Sequence, residues 1–515
     1  MAKTFYVTTA IDYTNSAPHV GHAYEKVLAD VIARYRRLQG EDAFFLTGVD
    51  QHGQKVQQSA AKEGVAPADF VKGVTQKFID LWKTLDVKYD AWAETTAPLH
   101  KSVVQGILQG LFDEGQIYKD KQSGYYSVRQ EQFLTDKERG PDGEFGPEWG
   151  QVEFREEENY YFKLSQHKGW LLSYLGQRAD AVIPHFRQTE LRNAVERLGG
   201  DLCISRPKSR LDWGIELPFD KDFVTYVWFD ALTNYISFAG YDPSQSTFDH
   251  QPSTFREKWP ALQIIGKDIL IPAHGIYWPI MLHSVGFPDE SMPQLLVHGW
   301  WNMSGAKMSK SAGNVVDPAA LAEKYGAEAL RYYLMSDIAT GGDADFSEER
   351  LVTRYNSDLA NSIGNLLNRT LNMADRYREG TVKRAGGDSP LAAQAADLLR
   401  DYEKFMNGFE VHAGLSRIGE FVTACNTYIE MTAPWKLAKD PTRAATLDHV
   451  LFALSEALRI VAILISPVLP TAAREIFYQL NCAPNERLAD AAWGGLPDEH
   501  RLGKAKQLFP RIETV

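Results

Sequence analysis

Residues 4–50 read TFYVTTAIDYTNSAPHVGHAYEKVLADVIARYRRLQGEDAFFLTGVD, and the order of patterns within them decides the fold class. Thr4 to Ile11 is rich in β-branched and aromatic residues, as a buried strand is. From His19 the apolar positions Val20, Tyr24, Val27, Leu28, Val31, Ile32 and Tyr35 keep helical spacing, and Gly40 stops the helix. Ala43 to Leu46 is a second short apolar run, followed by the polar Thr47-Gly48-Val49-Asp50-Gln51-His52-Gly53 leaving the strand's carboxyl end. A strand–helix–strand order of this kind belongs to a parallel doubly wound sheet, whose ligands bind beyond the carboxyl ends of the strands. Asp50 stands at such an end. Its residue type suits a helix cap or turn acceptor as well as a ligand group.

Outward from this stretch the pattern changes near Gln116. Tyr125 to Val128 and Asn159 to Leu164 read as strands, the segment from Gly140-Pro141 to Gly146-Pro147 is rich in turn residues, and Trp170 to Val182 reads as helix. This block has the character of an insertion that ends near Ser205-Arg206, before the strand-like Trp213 to Leu217. The parallel-sheet pattern resumes with Thr225 to Phe229, Ala261 to Ile265 and Gln294 to Val297, so the nucleotide fold is split. Pro318 to Met335 reads as helix, and beyond Phe346 almost everything reads as amphipathic helix to the end. The fold class expected is α/β: a split, doubly wound, Rossmann-like parallel sheet with an inserted connective domain and a C-terminal α-helical bundle.

Composition narrows the function classes. At 515 residues the chain is long for one core, and three or four units that each bury their own are expected. A formal charge of −12 argues against indiscriminate nucleic-acid binding, so any RNA partner is met by local patches. Cys203, Cys425 and Cys482 are odd in number and far apart, which leaves neither a disulfide framework nor a clustered metal site to draw and suits a reducing compartment. The apolar run from Ile460 to Leu469 is interrupted by Pro467 and too short to span a membrane. A cytoplasmic enzyme is expected.

Two segments carry chemistry. Pro18-His19-Val20-Gly21-His22 opens the first helix and sets two imidazoles at i and i+3 about a glycine, where a base or a phosphate approaches the backbone closely. Gly305-Ala306-Lys307-Met308-Ser309-Lys310-Ser311-Ala312-Gly313-Asn314 gathers two lysines and hydroxyl groups between glycines, either as a solvated basic turn or as a phosphate site. Zinc at His19 and His22 would need further ligands that this helix does not supply. Adenylyl transfer to a carboxylate, already a nucleophile, asks only for positioning and for neutralisation of charge on the departing pyrophosphate, which lysines supply. Trp228, Ala231, Leu232 and Tyr235 share one helical face, which is either core or a slot for a flexible side chain such as a thioether. Asn361, Asn365 and Arg369 recur at i, i+4 and i+8, a stripe that is either solvated surface or a set of base-edge readers, with Trp435 free to stack.

Together the two segments resemble the HIGH and KMSKS signatures of class I aminoacyl-tRNA synthetases, and the whole chain is similar to the methionyl-tRNA synthetase family. Further motifs carry the likeness: Thr47 to Gly53, Ser205-Arg206 with Asp212-Trp213-Gly214, Val227 to Leu232, Gly266-Lys267-Asp268, and His274 ahead of Tyr277-Trp278-Pro279. The resemblance implies ATP with Mg2+ as cofactor, bound through His19, Gly21, His22, Lys307, Ser309 and Lys310, with His19, His22, Lys307 and Lys310 catalytic. It implies a methionine site of Ala10, Ile11, Tyr13, Asp50, Trp228, Ala231, Leu232, Tyr235 and His274, Asp50 taking the ammonium, and anticodon readers Asn361, Asn365, Arg369 and Trp435. The implied activity is methionine--tRNA ligase, forming methionyl-adenylate and then charging tRNA(Met), the initiator included. The alternative is a catalytically silent, synthetase-derived tRNA-binding protein. The implied divisions are 1–115 and 205–297 for the halves of the catalytic domain, 116–204 for the connective insertion, 298–350 for the KMSKS loop and stem-contact region, and 351–515 for the anticodon-binding domain.

Three departures from the family pattern stand out. Val20 replaces an isoleucine of similar volume. Leu270-Ile271-Pro272-Ala273 precedes His274 where the family has an aromatic and one residue fewer. The insertion lacks cysteine knuckles, so a zinc-free subtype with no structural metal is expected. The insertion is also too short for the editing domain of the isoleucine, valine and leucine relatives, whose apolar pockets discriminate a methylene by only about 1–3 kcal/mol. No appended dimerisation domain follows the bundle, and a monomer is expected.

Overall fold

A computed structural model describes residues 3–127, 132–134, 136–140, 142–245, 247–303, 305–307, 315–384, 389–484 and 486–513. Its centre is an all-parallel sheet of β1 (Phe5–Thr9), β2 (Asp12–Tyr13), β3 (Ala43–Asp50), β4 (Ala91–Glu94), β5 (Val182–Ile183), β6 (Leu262–Gly266) and β7 (Gln294–His298). Across the sheet the order is β4, β3, β1, β6, β7, β5, with β2 continuing the line of β1 beside the end of β3. The chain winds one way from β1 to β4 and the other way from β6 to β7, so the switch point lies between β1 and β6, where an open α/β sheet leaves a crevice.

Helix α1 (Val20–Leu38) makes the first crossover and buries its face under β1, β3 and β6. The apolar core on this side contains Val27, Val31, Ile264 and Leu296 and continues without a break into the C-terminal helices through residues such as Leu334, Leu359 and Leu454. A second core on the opposite face gathers α2 (Pro98–Asp113), α3 (Val227–Ser237) and the base of the insertion. The insertion is built on an antiparallel pair, Ile117–Ser127 with Val152–Phe162, flanked by Gln132–Leu134 and Leu202–Cys203.

Several boundaries differ from the sequence expectations. The strand starting at Ala43 runs through Asp50 instead of yielding to a loop at Thr47, because Thr47, Gly48 and Val49 pair with Trp92, Ala93 and Glu94 of β4. Trp213 to Leu217 forms no strand of the central sheet, making a single bridge from Glu216 to Val224. Thr225 to Phe229 is divided: Phe223–Thr225 pairs antiparallel with Ser205–Pro207, and the 3–4 spacing of Phe229, Leu232, Tyr235 and Ile236 makes the remainder helical. Gly326, at φ 91°, splits the expected helix 318–335 into Pro318–Tyr325 and Ala327–Ser336. The last stretch is not helical. Residues 502–513 run without regular structure, and Ile512 exchanges two hydrogen bonds with the Asn356 side chain at 3.0 and 2.8 Å.

Candidate active site

At the switch point a cavity of about 330 Å3 is lined by Ala10, Ile11, Tyr13, Asp50, Trp228, Ala231, Leu232, Tyr235 and His274, joined by Lys55, Tyr226, Val227 and Ile269. The nine residues named from the sequence therefore meet in one place, within the size range of small-molecule sites. Ala10 and Ile11 follow β1, Tyr13 ends β2, Asp50 closes β3, and one face of α3 supplies Trp228, Ala231, Leu232 and Tyr235. Lys55, Tyr226, Val227 and Ile269 were missed. Ile269 adjoins the Gly266-Lys267-Asp268 motif, which was a signal for it, whereas Lys55 offered none.

From Leu270 to Tyr277 the backbone makes wide, π-type turns, interrupted by an extended Ile271 (φ −115°, ψ 122°). His274 is buried, with Nδ1 3.0 Å from the Ile269 carbonyl and Nε2 2.7 Å from the Tyr235 hydroxyl. A carbonyl only accepts, so Nδ1 carries the proton and Nε2 accepts from Tyr235. Burial pushes this imidazole down to about 4, which keeps it neutral.

Asp50 is a buried carboxyl with weak company. Its Oδ1 accepts from the His52 N–H at 3.3 Å and the Thr95 hydroxyl at 3.4 Å, and among the described residues no cationic side chain forms an ion pair with it. Burial, and after it the negative charge of Asp230, hold Asp50 well above the usual carboxylate range.

The N-terminus of α1 is capped by its own histidines. His19 Nδ1 accepts from the Gly21 N–H and His22 Nδ1 from the His19 N–H, both at 3.1 Å, a capping box in which imidazoles replace the usual hydroxyl and carboxylate. Both rings therefore carry their proton on Nε2. The face of Gly21 is covered by the His19 ring, to which a Cβ would approach within 2.9 Å, so the glycine makes room for the cap. Beneath, Lys26 Nζ is buried and donates to the Ala10 carbonyl (2.8 Å), Asp12 (2.6 Å) and Glu25 (2.9 Å), and Glu25 reaches His298 at 3.0 Å. One ammonium thus ties the cavity wall to the helix and, through His298, to the end of β7.

After β7 the chain forms β8 (Trp301–Met303) and β9 (Ala306–Lys307), an antiparallel pair turning at Gly305 (φ 75°) and flanked by β10 (Ala344–Asp345). Lys307 is described through its backbone alone, and Ser309 and Lys310 lie outside the described residues. The Val316 carbonyl accepts from the Val20 N–H at 3.2 Å, which places Val316 at the N-terminus of α1.

In the bundle, α4 (Asn365–Arg378) continues a π-type stretch, Tyr355–Gly364, and packs with it against α5 (Val411–Thr432). Between them runs a groove of about 980 Å3 whose lining includes Asn361, Asn365 and Arg369 together with Asp358, His412 and Asn426. Arg369 is paired with Glu430 at 2.6 Å. Trp435 does not line the groove. It is half-buried against the bundle core just past Ala433, whose left-handed backbone (φ 44°) ends α5.

The family model for class I tRNA synthetases (M) matches residues 5–142 and 149–371, and that for the anticodon binding domain of methionyl tRNA ligase matches 380–514. The chain belongs to the class I methionyl-tRNA synthetases. It is 40% identical over 521 residues to the methionine--tRNA ligase of Caldanaerobacter subterraneus, covering 100% of this chain and 80% of that one. With the Bacillus subtilis ligase the identity is 39% over 532 residues, covering 99% and 78%. The structure of Mycobacterium tuberculosis methionyl-tRNA synthetase in complex with methionyl-adenylate superposes with a TM-score of 0.91 at 38% identity, covering 99% of this chain and 100% of that one. The free state of the same enzyme gives 0.86 at 35%, covering 100% and 99%.

Proposed function

We propose that the chain activates L-methionine with ATP to methionyl-adenylate and pyrophosphate, then transfers methionine to the 3′ end of tRNA(Met), the initiator included. The observation that carries this reading is the cavity at the switch point, where one uncompensated buried carboxyl and an aromatic, otherwise apolar lining suit an amino acid with a cationic end and a polarisable side chain. In this reading Asp50 takes the ammonium. Trp228, Leu232 and Tyr235 enclose the thioether, and the neutral His274–Tyr235 pair presents no charge to it. The M. tuberculosis neighbour, described in complex with methionyl-adenylate, supports an adenylate-forming site.

The substrate carboxylate attacks the α-phosphorus, so the protein's part is to align the two and to stabilise the charge gathering on the phosphates. The Nε2–H groups of His19 and His22 at a helix N-terminus suit the phosphate chain, with Lys307, Ser309 and Lys310 from the following loop around the departing pyrophosphate. Mg2+ carried by the nucleotide supplies counter-charge.

Asn361, Asn365 and Arg369 read the anticodon in this proposal, with Trp435 stacking on a base once the loop binds. The fold needs no zinc, a reading supported by Cys203, Cys425 and Cys482 lying free on separate elements. The same free thiols suit the cytoplasm, and among the described residues no helix is long and apolar enough to cross a membrane. A monomer and the domain divisions given above are retained as part of this proposal.

Methionine-dependent exchange of pyrophosphate into ATP tests the activity. Robust exchange with methionine and none with leucine or isoleucine is expected. Tight tRNA binding without exchange would instead indicate the catalytically silent alternative.

A further inference from the structure

Behind the cavity lies a buried carboxylate shared by two imidazoles. Asp230 Oδ2 is 2.6 Å from His52 Nδ1, and its Oδ1 is 3.0 Å from His100 Nε2. His100 Nδ1 in turn lies 2.9 Å from the Ser237 hydroxyl, which donates to the Asn234 carbonyl at 3.3 Å. Asp230, a carboxylate, accepts from Nε2, and Ser237 holds the other ring nitrogen, so His100 is fixed from both sides. The three groups come from three elements: the loop after β3, α2 and α3. All are buried, none lines the cavity, and none is used in the chemistry described above.

The cluster reaches the cavity through His52, whose N–H is one of the two long hydrogen bonds to Asp50. We propose that His52, Asp230 and His100 form a positioning unit that sets how readily Asp50 carries negative charge, and through it the capture of the substrate ammonium. This rests on the reading of Asp50 as the ammonium partner. Two neighbouring buried carboxyls do not ionise alike. Although burial alone would raise Asp230, its two imidazoles hold it down to about 2, so it stays charged while Asp50 is pushed up. The pair thus resembles a set of unequal acids, in which the outer member titrates and the inner one sets the field.

Other titratable groups face Asp50 as well. Tyr13 and Lys55 share its cavity, and Glu94 is paired alongside on β4. Across the lining stand Tyr235, raised by burial, and His274, lowered to about 4, both uncharged between pH 5 and 8. Of the groups named as facing Asp50, the cluster has a carboxylate and the imidazoles that hold it, so changing either side of it shifts Asp50 in opposite directions.

The test is methionine binding by the intact chain from pH 5 to 8, measured calorimetrically for wild type, Asp230→Asn and His100→Gln, with Asp50→Asn as control. Wild-type affinity is expected to fall as the pH drops and Asp50 protonates. Asp230→Asn removes the like charge and moves that midpoint down by about 1 pH unit; His100→Gln removes compensation and moves it up by a similar amount. Should either variant fail to fold, Ser237→Ala, which deletes only the Nδ1 partner of His100, reads the same change in smaller form. A merely structural cluster lowers affinity equally at every pH, and an unmoved midpoint in these variants overturns the proposal. If Asp50→Asn binds methionine as tightly as wild type, the reading of Asp50 itself is wrong and the proposal falls with it.

Discussion

Arg331 Nη2 lies 2.7 Å from Asp30 Oδ2, with both side chains wholly buried. Its other N–H groups donate to the carbonyls of Leu85, Pro467 and Val468 at 2.8 to 3.0 Å, and Asp30 also receives Arg34 and the Lys88 N–H. One guanidinium therefore joins α1, whose first turn holds His19 and His22, to the chain behind the sheet and to the end of the long bundle helix Ala444–Ile465. Removing Arg331 leaves Asp30 paired with Arg34 but strips the donor from buried carbonyls, and leaving a buried acceptor unsatisfied costs about 1–3 kcal/mol. Arg331→Met is expected to lower the free energy of urea unfolding by roughly that amount. A loss below about 1 kcal/mol would mean that water reaches these carbonyls.

His274 makes stability depend on pH. Its imidazole is lowered from 6.5 to about 4 by burial, so between these values the unfolded chain binds a proton that the folded chain does not. Stability contributed by the neutral ring is full above pH 6.5 and is lost as the pH falls towards 4, by on the order of 3 kcal/mol. Asp12, raised to about 7 chiefly by burial, acts in the opposite sense over an overlapping range. The comparison is therefore between wild type and His274→Gln, whose difference in unfolding free energy is expected to shrink from pH 7 to pH 4.5. A constant difference would show that the ring titrates alike in both states.

Trp435→Ala is expected to impair charging of tRNA while leaving methionine adenylation nearly untouched, since stacking on one base is worth about 1–3 kcal/mol and the chemistry lies elsewhere. Its half-buried place beside the bundle core sets the control, which is the melting temperature. Equal losses in both reactions, with a lowered melting temperature, would assign Trp435 to packing alone.

Lys310→Ala is expected to depress the rate constant of adenylation far more than ATP affinity, because a contact that strengthens as pyrophosphate departs acts on the transition state. Losing one such electrostatic contact costs about 2.7–4 kcal/mol of barrier, roughly a hundred- to a thousandfold in rate. Lys307→Ala is expected to have the smaller effect. Single-turnover formation of methionyl-adenylate across a range of ATP concentrations separates the two quantities. An unchanged maximal rate with a raised ATP requirement would make Lys310 a ground-state anchor.

What the sequence determined by itself was whatever short-range periodicity carries. The alternation of strand and helix through residues 4–50 specifies a parallel sheet, and the 3–4 spacing of Trp228, Ala231, Leu232 and Tyr235 puts four lining residues on one side of α3 whatever surrounds it. Tertiary structure decided the rest, because the remaining choices depend on partners far apart in the chain. Val182 and Ile183 become an edge strand only because Leu295 and Leu296 are there to pair with them. Thr47 to Val49 stay extended only because β4 lies alongside. His100 meets Asp230 across 130 residues, and nothing in the spacing of either announces the other. His274 itself is visible in the sequence, but its seat is not, since that depends on Tyr235 and the Ile269 carbonyl holding the imidazole from both sides. Periodicity is a property of a window of a dozen residues, whereas the charge on Asp50 and the seat of His274 are properties of buried groups that meet only once the sheet has closed its cores.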